Sequence, residues 1–143
     1  MRKLENHAIC KFSAISENES FARSIVVNFT AQASPTVTQL ADIKCAVSEA
    51  VTNCIVHAYP EDVGAVTLEM KRYSDGLITV VIKDKGIGIA DISKARLPLF
   101  TTDTTGERSG MGFSIMESMT DSMSVRSAPG KGTTVTLKLR IST

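Results

Sequence analysis

The chain has 143 residues, 43% of them hydrophobic, with 16 Lys+Arg against 15 Asp+Glu for a net charge of +1. That length suits one domain of the usual ~100–200 residues, and the near-neutral balance gives no broad positive field for a polyanion, so direct nucleic-acid binding is disfavoured. No apolar run approaches the ~18 residues of a membrane span, charges interrupt the first residues before any signal-like stretch, and Cys10, Cys45 and Cys54 lack the close pairing of a zinc site or disulfide framework; the expectation is a soluble cytoplasmic protein with reduced, buried thiols.

In chain order, residues 8–15 alternate with period two and predict a first strand at a sheet edge. Ser16-Glu17-Asn18-Glu19 has the Ser-x-x-Glu form of a capping box and predicts a helix start. Phe21, Ile25 and Phe29, flanked by Ala22 and Val26, give that helix an apolar face ending near residues 33–35. Leu40, Ile43, Val47, Ala50, Val51 and Cys54 recur at steps of three and four, which predicts a second helix over 38–58. Residues 65–73 and 77–83 are rich in Val, Ile, Leu and Thr around Ser74-Asp75-Gly76 and read as a hairpin. Residues 84–112 show no sustained period and hold six of the molecule's turn-forming Gly and Pro residues, so a long functional loop is expected. A third helix over 111–120 and a second hairpin, 122–128 with 133–141 across Pro129-Gly130-Lys131-Gly132, complete the chain.

Three constellations carry chemistry. Glu49, Asn53 and His57 are successive i, i+4 neighbours and form one polar stripe on the second helix. Such a stripe also suits a solvent face; the apolar residues around it, Ala50, Val51, Cys54, Ile55, Val56 and Ala58, favour a cavity instead. An Asn53 amide oxygen is a hard neutral ligand suited to Mg²⁺ sharing its sphere with substrate phosphates, and Glu49 one turn away sits where a base is useful. Asp84-Lys85-Gly86-Ile87-Gly88 closes a strand. As a plain turn it would be ordinary; as a binding element, Asp84 accepts from an exocyclic amine such as adenine's while Gly86 and Gly88 let the backbone approach a flat ring. Gly106-Glu107-Arg108-Ser109-Gly110-Met111-Gly112 offers backbone amides to phosphate, with Arg108 as a fixed cation. It is neither a Walker A loop nor a dinucleotide fingerprint.

In this order, Glu49-Ala50-Val51-Thr52-Asn53, Asp84-x-Gly86-x-Gly88, the stretch from Gly106 to Gly112 and Gly130-x-Gly132-Thr133 resemble the four boxes of the GHKL ATPase and kinase family, which includes gyrase B subunits, histidine kinases and MutL proteins. The resemblance implies a GHKL (Bergerat) ATP-binding fold: an α/β (α+β) two-layer sandwich, its sheet mixed but mostly antiparallel, helices on one face, and a mobile lid over ATP. The stretches 12–23, 48–53, 98–102 and 107–113 narrow it to the anti-sigma serine kinases of sporulating Gram-positive bacteria, over nearly the whole chain as one domain, 1–143.

That resemblance implies ATP/ADP and Mg²⁺ as cofactors, a sporulation sigma factor and a phosphoaccepting anti-anti-sigma protein as partners, and a homodimer. By motif it makes Glu49 the general base, Asn53 the magnesium ligand and Asp84 the adenine anchor. His57, Gly86, Gly88, Thr101, Gly110, Met111, Gly112 and Thr133 then line the nucleotide, Arg108 touches the terminal phosphate, and Arg23 contacts the protein partners. Ala58 departs from the pattern, standing where glycine is usual. A stress-response kinase of the same family, and a sigma-binding module merely gated by ATP, are the alternatives.

Overall fold

The computed structural model describes residues 2–59, 63–89 and 112–141. Five strands form one sheet in the order β1-β2-β3-β5-β4, where β1 is Leu4–Ser13, β2 Ala65–Tyr73, β3 Leu77–Asp84, β4 Ser122–Ala128 and β5 Gly132–Arg140. Every pairing is antiparallel, so the expected mixture contains no parallel pair among the described residues. β1 occupies an edge, as its alternation predicts.

Alternation decides which face is covered. Val66, Leu68 and Met70 on β2, Ile78, Val80 and Ile82 on β3, and Val135, Leu137 and Leu139 on β5 are all buried. Register places them side by side: Leu68 opposite Ile82, Ile82 opposite Val135, Val80 opposite Leu137. Burying each such side chain contributes about 1.5–3 kcal/mol, and a shift of one residue would turn the whole row to solvent.

The helices cover that face. α1 is Glu17–Ala31, α2 Val37–Asn53 and α3 Gly112–Ser118, with α2 packed between the other two. Ile43, Ala46, Val47, Ala50 and Val51 of α2 sit on the sheet side of the core, and α3 adds Phe113 and Met116.

Two helix expectations need correction. Ser16 makes no capping bond and is itself in helical conformation; Glu19 instead accepts a hydrogen bond from the Ser48 hydroxyl at 3.1 Å. The true capping box opens α2. Thr36 is extended, its hydroxyl accepts from the Gln39 amide, and the Gln39 side chain accepts from the Thr36 amide. The buried stripe of α1 is Ala22, Val26 and Phe29, whereas Phe21 is 48% exposed, its ring set edge-on to Phe12.

α2 also ends sooner than its spacing predicts. At Cys54–Ala58 it widens into a π-helical turn, a form seen in single turns and often at functional sites. Ile55 and Val56 place two β-branched side chains side by side there, which lowers the preference for regular α winding. The end of the turn is drawn to the sheet: the Ala58 carbonyl accepts from the Ile87 amide at 2.9 Å.

Candidate functional site

The core-facing row of β3 runs Ile78, Val80, Ile82 and then Asp84, which is only 6% exposed. An ionised carboxylate in a row otherwise built for apolar burial is costly unless hydrogen-bonded. Asp84 Oδ1 accepts from the Gly86 amide at 2.9 Å and from the amide of Thr133, its cross-strand partner, at 3.2 Å. Asp84 Oδ2 accepts from the Cys54 thiol at 3.4 Å. Burial, then the Asp84 charge, then that hydrogen bond push the Cys54 thiol well above its ordinary pKa, so it stays protonated and donating.

The glycines are set by contacts inside the protein. A Cβ on Gly86 would strike the Ala58 carbonyl, while Gly88, at φ +76°, passes against the Ala128 carbonyl. The Ile87 carbonyl accepts from the Gly130 amide at 2.7 Å. The turn after Asp84 is thus held between the π-turn of the helix layer and the β4–β5 hairpin. Ala58, the departure from the family pattern, is accommodated with its own carbonyl facing Gly86.

Residues that the sequence reading missed complete the clamp. Ser127 spends its one hydroxyl proton on the Gly132 carbonyl at 2.8 Å, so the Thr133 hydroxyl at 2.8 Å donates to it. The Ile89 amide also donates to Ser127 at 2.8 Å. Tyr59 donates its hydroxyl to the Ala65 carbonyl and accepts from the Lys85 amide, both at 2.8 Å. Thr133 therefore reaches Asp84 through its backbone and Ser127 through its side chain.

Glu49 and Asn53 are half-buried on the last turns of α2, and Asn53 directly precedes the thiol that touches Asp84. That brings the carboxylate–carboxamide pair of the helix to the same end of the sheet as the Asp84 turn. His57 is also half-buried but lies in the π-turn. Four residues of an i→i+5 turn make nearly one revolution, so the widening leaves His57 at roughly the same side of the helix as Asn53. Gly112 opens α3. Arg23 is on α1, with Nε 3.5 Å from Glu19 Oε2. Thr101, Arg108, Gly110 and Met111 fall outside the described residues. An open hollow of about 340 Å³ lies among Lys71, Thr79, Thr136 and Lys138, on the sheet face opposite the core row that ends in Asp84.

A helix layer on one face of an antiparallel sheet, with a buried aspartate at a glycine turn beneath the end of the central helix, defines a nucleotide-type ATPase fold. The family model of the histidine kinase-like ATPase domain matches residues 12–139. An anti-sigma F factor of Caldanaerobacter subterraneus subsp. tengcongensis is 52% identical over 125 residues, 87% of each chain. Another, from a Geobacillus species, is 50% identical over 135 residues, 94% of this chain and 92% of the relative. The chain belongs to the anti-sigma F factor family of histidine kinase-like ATPase domains. In a solved structure of the RsbU and RsbW domains of a Mycobacterium tuberculosis protein, 97% of this chain superposes with a TM-score of 0.71 at 20% identity, covering 33% of that chain and showing the shared fold.

Proposed function

We propose that this protein is an anti-sigma factor and ATP-dependent serine kinase, one ATP-binding domain over residues 1–143 acting in the cytoplasm. It binds and inhibits sporulation sigma factor F and phosphorylates the anti-anti-sigma antagonist on serine. The observation that carries the reading is Asp84: a buried carboxylate held by three donors, beside the helix end that bears Glu49 and Asn53. A ligand amine at Asp84 places adenine there, with Gly86, Gly88 and Thr133 along the ring, and directs the phosphates toward α2.

In the transfer step Glu49 takes the proton of the partner's serine hydroxyl as its oxygen bonds to the γ-phosphorus. The bond from that phosphorus to the β,γ-bridging oxygen breaks, and ADP leaves. Arg108 grips the terminal phosphate oxygens, with Thr101, Gly110, Met111 and Gly112 lining the nucleotide and His57 beside it. Among the described residues no group of three or more His, Cys, Asp or Glu could cage a metal. The Asn53 amide oxygen instead fits Mg²⁺, which binds through few protein ligands plus phosphates and waters. When bound, Mg²⁺ supplies charge neutralisation on the phosphates.

Incubation with γ-labelled ATP and an anti-anti-sigma protein tests the kinase. The wild type should yield stable phosphoserine, and Glu49→Gln should lower the rate about 10²- to 10⁴-fold while sparing ATP affinity. Full activity in Glu49→Gln overturns the assignment of the base. Absence of phosphoserine with the wild type overturns the kinase reading for that partner and leaves the ATP-gated binding module or a stress-response kinase with another partner pair.

Arg23 is the proposed partner contact on α1. For the homodimer, β1 offers a ten-residue edge with Leu4 and Ile9 exposed, the kind of edge that pairs unless protected. Sedimentation with ATP or ADP should show a dimer, and a monomer at all concentrations would remove that inference.

A further inference from the structure

We propose that Cys54 is a positioning residue for nucleotide choice: its S–H bond to Asp84 Oδ2 holds the carboxylate so that one acceptor position is left for a 6-amino purine. This rests on the adenine-anchor reading of Asp84 and extends it to a residue outside the family boxes.

An ionised carboxylate has about four acceptor positions. The Gly86 and Thr133 amides occupy the two on Oδ1, and the Cys54 thiol takes one on Oδ2. Asp84 is buried, and among the described residues its donors are Cys54, Gly86 and Thr133, so the remaining Oδ2 position is the one a ligand can use. A ligand N–H completes the set. A 6-oxo purine would set a carbonyl against that oxygen, two acceptors facing each other, and a purine with hydrogen at that carbon would leave the position unmatched.

Of the three donors, two are backbone amides fixed by the turn and the strand pairing. The thiol alone comes from the helix layer, from the residue after Asn53. It is therefore the contact that fixes the rotation of the carboxylate relative to the helix that bears Glu49. Cys54 is itself buried, and its raised pKa keeps the proton on sulfur across the physiological range, so the donor role does not switch with pH.

Equilibrium binding of ATP and of purine riboside triphosphate, which lacks the 6-amino group, tests the proposal in wild type, Cys54→Ala and Cys54→Ser. In Cys54→Ala, ATP affinity should fall about three- to ten-fold, the scale of one lost hydrogen bond, while the analogue changes less than about two-fold. Cys54→Ser, which keeps a donor, should recover part of the preference. Equal weakening of both nucleotides in Cys54→Ala, the mark of a packing defect, overturns the proposal, as does unchanged ATP affinity. If the wild type itself fails to prefer ATP over the analogue, it is the adenine-anchor reading that falls.

Discussion

Strand β3 is flanked by an aspartate at each end, and the two are satisfied by opposite means. Asp75, at the β2–β3 turn, is 34% exposed and meets Arg2 Nε at 3.0 Å and Arg140 Nη1 at 3.2 Å. It also accepts from the Leu77 amide at 3.3 Å. Asp84 is buried, and among the described residues no cation pairs with it. Both precede a glycine turn, so the sequence makes them look alike. The difference teaches that Asp75 is a structural clasp whose charge is already answered, whereas Asp84 carries its charge on two amides and a thiol. A buried charge without a counter-charge is a poor way to stabilise a fold, which points to a ligand as its reason.

Substitution of each aspartate by asparagine is the sharpest way to break that contrast. Asp84→Asn keeps a carbonyl for the Gly86 and Thr133 amides but can set a donor against the Cys54 thiol and the ligand amine. ATP affinity should fall about 10- to 150-fold, the range for a hydrogen bond to a charged group, in a calorimetric titration. Retained affinity would return Asp84 to the ordinary turn that its motif also allows.

Gly86→Ala should act next most strongly. The new Cβ meets the Ala58 carbonyl, and backbone must move, at a cost of about 1–3 kcal/mol, read as a lower denaturation midpoint. An unchanged midpoint would show that the helix–turn contact gives way freely.

Asp75→Asn should have the smallest effect and none on ATP binding. Desolvation at Asp75 opposes ionisation, but hydrogen bonds from Arg2, Arg140 and the Leu77 amide, with the Arg2 charge, outweigh it and lower its pKa from 3.8 to about 2. A folded-state value below the unfolded one gives stability that is present above the unfolded value and is lost as pH falls through the folded one. The wild type should thus lose stability between about pH 4 and pH 2 more steeply than Asp75→Asn, in denaturation curves across that window. Parallel curves would mean the two arginines contribute nothing there, as exposed pairs often do.

Much of the fold was legible because strands and hairpins are local. Residues 65–73 and 122–128 were placed at their observed bounds from composition and flanking turns. Asp84 was legible too, as the residue that closes the strand and opens the Asp-x-Gly-x-Gly turn. Cys54, Ser127 and Tyr59 were not: Cys54 and Tyr59 act across the helix–sheet join and Ser127 joins the β4–β5 hairpin to the glycine turn, and nothing in local spacing says which strand end a thiol or hydroxyl will meet. The π-turn was hidden because steps of three and four continue through Cys54, and Ser16 misled because a capping box needs an extended first residue as well as the right letters. Phe21 shared the spacing of the buried face yet stands at its rim, since periodicity fixes a stripe only to within about one position.

The widened turn at Cys54–Ala58 also makes the residue count of this segment matter, beside its side chains. Removing one residue to restore regular winding would turn everything beyond it by about 100° and carry the Ala58 carbonyl away from the Ile87 amide it now meets. The segment works as a spacer of fixed length, and a deletion within it would unfasten α2 from the end of β3.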